Sequence, residues 1–516
     1  MNFMTNYRLL LLVFLGAMLM RCTNDPNELE APRVDQELLL IPRDQIDDQI
    51  MESLKATNEF NWKDASDQVL WSALMHSDST LTIGYQPEGE SDVNSRMATI
   101  DIKGKNWVQA RENVVEEALY IINKGNDQPL ESEDIDLRAH DVLPYVEIHI
   151  TDPAVITRLR SLPNVRYVEP LGYEVDFSRY AAEGREESSK GCSNDPDSGI
   201  PAGDYTVVAP NAKVSWNYSY MNIPQAWNHS TGSGIAVGLI DTGISPNQTK
   251  LNGEFNSGYS SGRYVHKYGF YVSSWWPWDD PDGPNDQCGH GTAMAGTIAA
   301  PRSTSGSSVG VAYNANLVAV RGTGDVVING SSEKTGVSDA LVFLGNRSDV
   351  KIISMSIGDV FSNSKVADAI RYAYGKGKLI FAAAGTSTSF TNWYGVIFPA
   401  SMNETVAVTG IKEGSGYQRC DICHSGDKVD FTVVMERSGS GKHALTLAMS
   451  GSSPSTVGGS SVATATAAGI AALVWSKNPT WTRTQVLNKM KQSADLYPGR
   501  SSEYGWGTLD ALAAVN

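Results

Sequence analysis

The stretch Ile235–Ile244, IAVGLIDTGI, decides the fold. Ile235–Ile240 is a short apolar run of strand length. It ends on Asp241-Thr242-Gly243, a turn signal that sets a carboxylate at the end of a strand. The same texture recurs as LVAVR at 317–321, KIISMSI at 351–357, LIFAAAG at 379–385 and ETVAVTG at 404–410, alternating with helical stretches. Strands apolar on both faces predict an α/β architecture, a parallel sheet flanked by helices.

Two further segments sit at the same kind of junction. His290 lies in GHGTAMAGTIAA, where small residues lead into a helix, and Ser461 lies in GGSSVATATAAGIAALVW, ahead of an Ala-rich one. A serine hydroxyl is a poor nucleophile at neutral pH. It needs a base for its proton, and the base needs a carboxylate to fix its tautomer and stabilise its charged form. Asp241, His290 and Ser461 supply those three groups in the chain order Asp, His, Ser, one of the known orders for this chemistry. Flanking glycines let backbone approach a substrate closely.

From Val214 to Asn516 the chain resembles the subtilisin-like serine proteases (subtilases). IAVGLIDTGI is similar to that family's aspartate motif, and GHGTAMAGTIAA to its histidine motif. GGSSVATATAAGIAAL resembles the serine motif, with Ser460 for Thr, Val462 for Met and Ala465 for Pro; WSKNPTWTRTQV and YGWGTLDALAA match its terminal segments. The resemblance implies a serine endopeptidase that cuts extended protein or peptide substrates through an acyl-enzyme on Ser461 and needs no cofactor for its chemistry. Asp241 would be the orienting carboxylate and His290 the general base and acid. Ser356, Ile357 and Gly358 would form an edge strand that pairs with substrate. Ala383, Ala384 and Gly385 would form the opposite wall of the specificity pocket. Ile397 would stand at its floor and favour small to medium side chains. The oxyanion hole would use the Ser461 N–H and residue 386, which is Thr386 where the family carries Asn. That change leaves three outcomes: a slower enzyme, another donor brought in by a loop, or a degenerate site on a surface binding protein.

Ahead of this region, Asn106–Ile122 has apolar residues at three- and four-residue steps and predicts an amphipathic helix. Tyr145–Ile150 alternates like a strand, Asp152-Pro153 opens a helix to Leu162, and Val165–Glu169 returns as a strand. This smaller α+β (ferredoxin-like) unit resembles the inhibitory propeptide of subtilases. The expected organisation is therefore 1–22 export signal, 23–185 propeptide, 186–212 linker and maturation region, and 213–516 catalytic domain. The propeptide would be a partner of its own enzyme in a zymogen.

The apolar run Leu9–Met20 is too short to span a bilayer and fits an export signal. Cys22 follows it as in bacterial lipoproteins, predicting a lipid anchor on the cell envelope or, with an ordinary signal, secretion. No apolar run in the 516 residues reaches the length of about 18 that reads as a spanning helix. With 41 Lys and Arg against 58 Asp and Glu the net charge is −17, which argues against nucleic-acid binding. Of five cysteines, four remain to pair in an exported protein, in three arrangements that sequence does not distinguish. Cys420-Asp421-Ile422-Cys423-His424 matches a haem-attachment spacing; a local disulfide in a surface hairpin fits its context better, and zinc would lack a fourth ligand. Trp275–Asp286, WWPWDDPDGPND, reads as a solvated loop or a structural calcium site.

Overall fold

In the computed structural model, residues 39–124, 127–180, 191–274, 279–386, 395–414 and 416–516 are described. The export signal and Cys22 lie outside them, as do Trp275, Trp276 and Trp278. Residues 39–516 form one unit whose two large sheets have four and seven strands.

The front sheet has four antiparallel strands, β1 (Thr80–Tyr85), β2 (Asp136–Ala139), β3 (Tyr145–His149) and β4 (Val165–Pro170), in the order β2-β3-β1-β4. The Lys105–Ile122 helix buries Val114, Val115 and Ala118, the face its periodicity predicted. Strand β1, TLTIGY, alternates polar and apolar residues yet is buried at every position, so Thr80 and Thr82 lie inside with Leu81 and Ile83.

A short hairpin, β5 (Tyr205–Val208) with β6 (Ala212–Ser215), precedes the main sheet. Residues 191–212, expected as linker, are thus structured: polar composition hid a segment held by backbone pairing and a disulfide rather than by apolar burial. The main sheet contains β7 (Ala236–Asp241), β8 (Val265–Gly269), β9 (Asn316–Arg321), β10 (Val350–Met355), β11 (Leu379–Ala383), β12 (Thr405–Lys412) and β13 (Phe431–Glu436). Its order is β13-β12-β11-β10-β7-β9-β8, and every pairing is parallel. Alternate residues enter opposite cores: Val237 and Leu239 pack with the Gly459–Lys477 helix, Ala236 and Ile240 with the Ser331–Asn346 and Ser364–Gly375 helices. The 19-residue Gly459–Lys477 helix is apolar and long enough to cross a membrane, but 89% of its apolar window is buried, which makes it the core helix. Its small residues allow that closeness; a Cβ on Gly469 would meet Val311 at 2.6 Å.

The front sheet joins the main unit through buried polar contacts. Glu147 pairs with the fully buried Lys365, and Arg166 grips Asp368 at 2.7 Å. Glu169 accepts from the backbone N–H of Ser364 (3.0 Å) at the start of the Ser364–Gly375 helix, where a carboxylate complements the helix dipole.

Candidate active site

Strand β7 ends on Asp241, which is 1% exposed. Its Oδ1 accepts from the Thr242 N–H at 2.8 Å and from His290 Nδ1 at 2.7 Å. His290 opens the His290–Ala299 helix and is buried. Burial is the largest influence and depresses the imidazole, but the carboxylates of Asp241, Asp286 and Asp325, Asp241 foremost, together hold His290 above the ordinary value of 6.5.

Asp286 ties the two loops together. Its Oδ1 accepts from the N–H groups of Cys288 (2.9 Å) and Gly289 (2.7 Å) and from the Thr242 hydroxyl (2.9 Å). Its Oδ2 accepts from Thr292 N–H (2.9 Å) and Thr292 Oγ1 (2.6 Å). In sequence this residue closes the possible calcium loop, although an Asp just before a helix is also a capping signal. Asp282 pairs with Arg321. Among the described residues no group of three or more His, Cys, Asp and Glu is placed to hold a metal.

Ser461 lies in the first turn of the Gly459–Lys477 helix. Its hydroxyl donates to the Ser356 carbonyl (3.3 Å), and the Ser356 hydroxyl donates to the Ser461 carbonyl (2.9 Å). Asp241 and His290 are therefore bonded to each other, while the Ser461 hydroxyl is bonded to Ser356 and makes no hydrogen bond to the imidazole among the described residues. Thr386 is exposed, and its Oγ1 accepts from the Ser460 N–H at 3.1 Å.

The expected substrate edge is occupied. The Gly358 N–H donates to Val326 O and the Gly358 carbonyl accepts from the Ile328 N–H, both at 3.1 Å. Backbone groups that would pair with an extended substrate are thus bonded to residues 326–328. The Ile357 side chain lies in the core below. Ile397 donates its N–H to Ala384 O (3.0 Å), and a Cβ on Gly358 would lie 2.8 Å from Ile397 Cδ1. Its side chain lies beside Gly358, in the apolar cluster that includes Tyr173 and Phe361. Ile397→Gly is expected to shift cleavage preference toward Phe or Tyr by at least about tenfold, read from a peptide-library profile.

Residues 191–194 lie against the histidine. A Cβ on Gly191 would be 3.5 Å from His290 Cδ2, Cys192 is bonded to Cys288, and the Ser193 N–H donates to Cys288 O (3.0 Å). The other disulfide is Cys420–Cys423, the local pairing expected of that motif, but both cysteines are fully buried rather than on a surface hairpin as expected.

A carboxylate on a histidine, a serine at a helix start and a parallel α/β sheet beneath them define a serine endopeptidase of the subtilisin type. A model of the subtilase family (peptidase S8) matches residues 232–507, and the chain belongs to that family. Subtilisin Savinase of Lederbergia lenta is 30% identical over 303 residues, covering 58% of this chain and 98% of that protein. Subtilisin E of Bacillus subtilis (strain 168) is 30% identical over 332 residues, covering 64% and 78%. Among solved structures, fervidolysin from Fervidobacterium pennivorans, a keratinolytic enzyme related to subtilisin, aligns with TM-score 0.56 at 18% identity, covering 85% of this chain and 60% of that one; this likeness concerns the fold. The subtilisin relatives favour an enzyme over a non-catalytic binding protein.

Proposed function

We propose that the chain is a latent precursor in which Asp241, His290 and Ser461 form the catalytic triad and the front domain, within 23–185, holds the groove until it is removed. Ser461 Oγ attacks the scissile carbonyl while His290 takes its proton and returns it to the leaving amine. Asp241 keeps the imidazole in the tautomer with its proton on Nδ1 and stabilises the charged ring. Water then attacks the acyl-enzyme with His290 again as base. The oxyanion is received by the Ser461 N–H and the Thr386 hydroxyl. The 2.7 Å Asp241–His290 bond in a buried site carries this reading.

Latency is supported by the front-domain contacts of Glu147, Arg166 and Glu169 with Lys365, Asp368 and Ser364. A maturation cut within the 170–210 region and ahead of Gly191 would leave the new chain end fastened beside His290 through Cys192–Cys288. Export, with lipid on Cys22 holding the enzyme at the cell envelope, suits a chain with disulfides. Protein substrates are the expected partners.

A fluorophosphonate probe tests the reading. It should label Ser461 once the front domain is removed. The rate should fall on acidification as His290 takes up its proton, with the midpoint above the ordinary imidazole value because the group is raised. Absence of labelling in the matured protein would end the triad assignment.

A further inference from the structure

The motif Cys420–His424 has no part in the triad, yet it is built against the loop that carries Thr386. Cys420, Cys423 and His424 are all buried, at 0%, 0% and 1% exposure. Thr386 and Cys423 form an antiparallel bridge. The His424 N–H donates to Gly385 O at 2.9 Å. The His424 ring fills the space a side chain at Gly385 would need, since a Cβ there would lie 2.6 Å from Nδ1; Gly385 also has φ +128°, which only glycine takes readily. Nδ1 lies 2.8 Å from Gly395 O, and a carbonyl only accepts, so Nδ1 carries the proton. Burial pushes the imidazole down to about 4, so it stays neutral in this role. His424 thereby holds Gly385, just before Thr386, and Gly395 on the far side of residues 387–394.

We propose that His424, set by the Cys420–Cys423 disulfide, is a positioning residue for the oxyanion donor Thr386. Its effect runs through the Gly385 peptide. The Gly385 N–H donates to Ser460 Oγ at 3.1 Å, and Ser460 Oγ lies 3.0 Å from Thr386 Oγ1. Either oxygen of the Ser460–Thr386 pair can donate; in the direction this role requires, Ser460 Oγ gives its proton to Thr386 Oγ1. That oxygen also accepts from the Ser460 N–H, so in this direction both its lone pairs are engaged and its proton is free for an oxyanion. A shift of the Gly385 peptide would break the first bond of this chain and turn the Thr386 hydroxyl away. A threonine reaches less far than the family's asparagine, so its position tolerates less error.

The proposal rests on Thr386 being the oxyanion donor, and a four-protein cycle on the matured full-chain enzyme separates the two. Thr386→Val should lower kcat by about 10²–10³ with KM nearly unchanged, the loss expected for one oxyanion donor. His424→Ala should lower kcat by about 10–10² with KM again nearly unchanged, as expected for a misplaced catalytic group. His424→Asn, whose amide restores a donor toward Gly395 O, should recover most of that loss. The double variant His424→Ala/Thr386→Val should be no slower than Thr386→Val, because nothing is left to position. Where His424→Ala does not accumulate as folded protein, His424→Leu, which keeps apolar volume without the donor, takes its place. An unchanged kcat in the His424 variant, or a multiplicative loss in the double variant, overturns the positioning role. An unchanged kcat in Thr386→Val overturns the donor assignment and the proposal with it.

Discussion

Ser461→Ala is expected to lower kcat by on the order of 10⁶, the size of loss established for the serine of subtilisin itself. The structure says why the change would act on chemistry and leave the fold. The Ser461 hydroxyl makes one hydrogen bond, to Ser356 O at 3.3 Å, and a bond of that kind contributes only about 0.5–1.5 kcal/mol to stability. Alanine is also the best helix former for a residue in the first turn of the Gly459–Lys477 helix. Circular dichroism and the unfolding midpoint should therefore stay close to those of the unmodified chain while turnover vanishes. The same variant reports on maturation. If the enzyme processes itself, Ser461→Ala accumulates at full length on a denaturing gel; normal maturation of the variant would assign the cut to another protease. Turnover within tenfold of the parent would remove Ser461 from its role.

The second large effect lies at the junction of the two sheets. Glu147→Ala leaves Lys365, fully buried, without its carboxylate. Burial already pulls the Lys365 ammonium down and Glu147 opposes that pull; the remaining polar partner is Thr335 Oγ1 at 2.6 Å. Breaking one half of a buried ion pair costs about 3–5 kcal/mol, because the other charge is left uncompensated. In the Ser461→Ala precursor the denaturant midpoint should fall accordingly, and with Ser461 intact the front domain should be lost faster. Replacing both partners, Glu147→Leu with Lys365→Met, should recover most of the stability. The exposed pair Lys103–Asp141 is the control: at 74% and 90% side-chain exposure, Lys103→Ala should change stability by less than about 1 kcal/mol. A Glu147→Ala midpoint equal to that of the control would show that this pair does not fasten the front domain.

Much of the catalytic region was readable in advance because its signals are local. The apolar run ending at Asp241 is both a strand and the place where the chain must turn, and the small residues after His290 and Ser461 mark helices packed close to the sheet. Asp286 was harder to assign, since a loop aspartate gives the same letter whether it binds an ion or caps a helix; only the five bonds it accepts decide. The segment 191–212 misled for a related reason: its Gly, Ser and Asp content signals a turn-rich path, while its order comes from Cys288 and from hairpin pairing.

Sequence alone determined the parallel α/β fold and offered Asp241, His290 and Ser461 as the candidates for acyl transfer, because periodicity and motif spacing are written along the chain. Tertiary structure decided the rest. It paired Cys192 with Cys288 and Cys420 with Cys423, closed the Gly358 edge with residues 326–328, turned the Ser461 hydroxyl to Ser356, and set His424 under Gly385. Each of these joins groups far apart in sequence or chooses among rotamers of one side chain, and such choices are made by close packing and by the need of buried polar groups for partners.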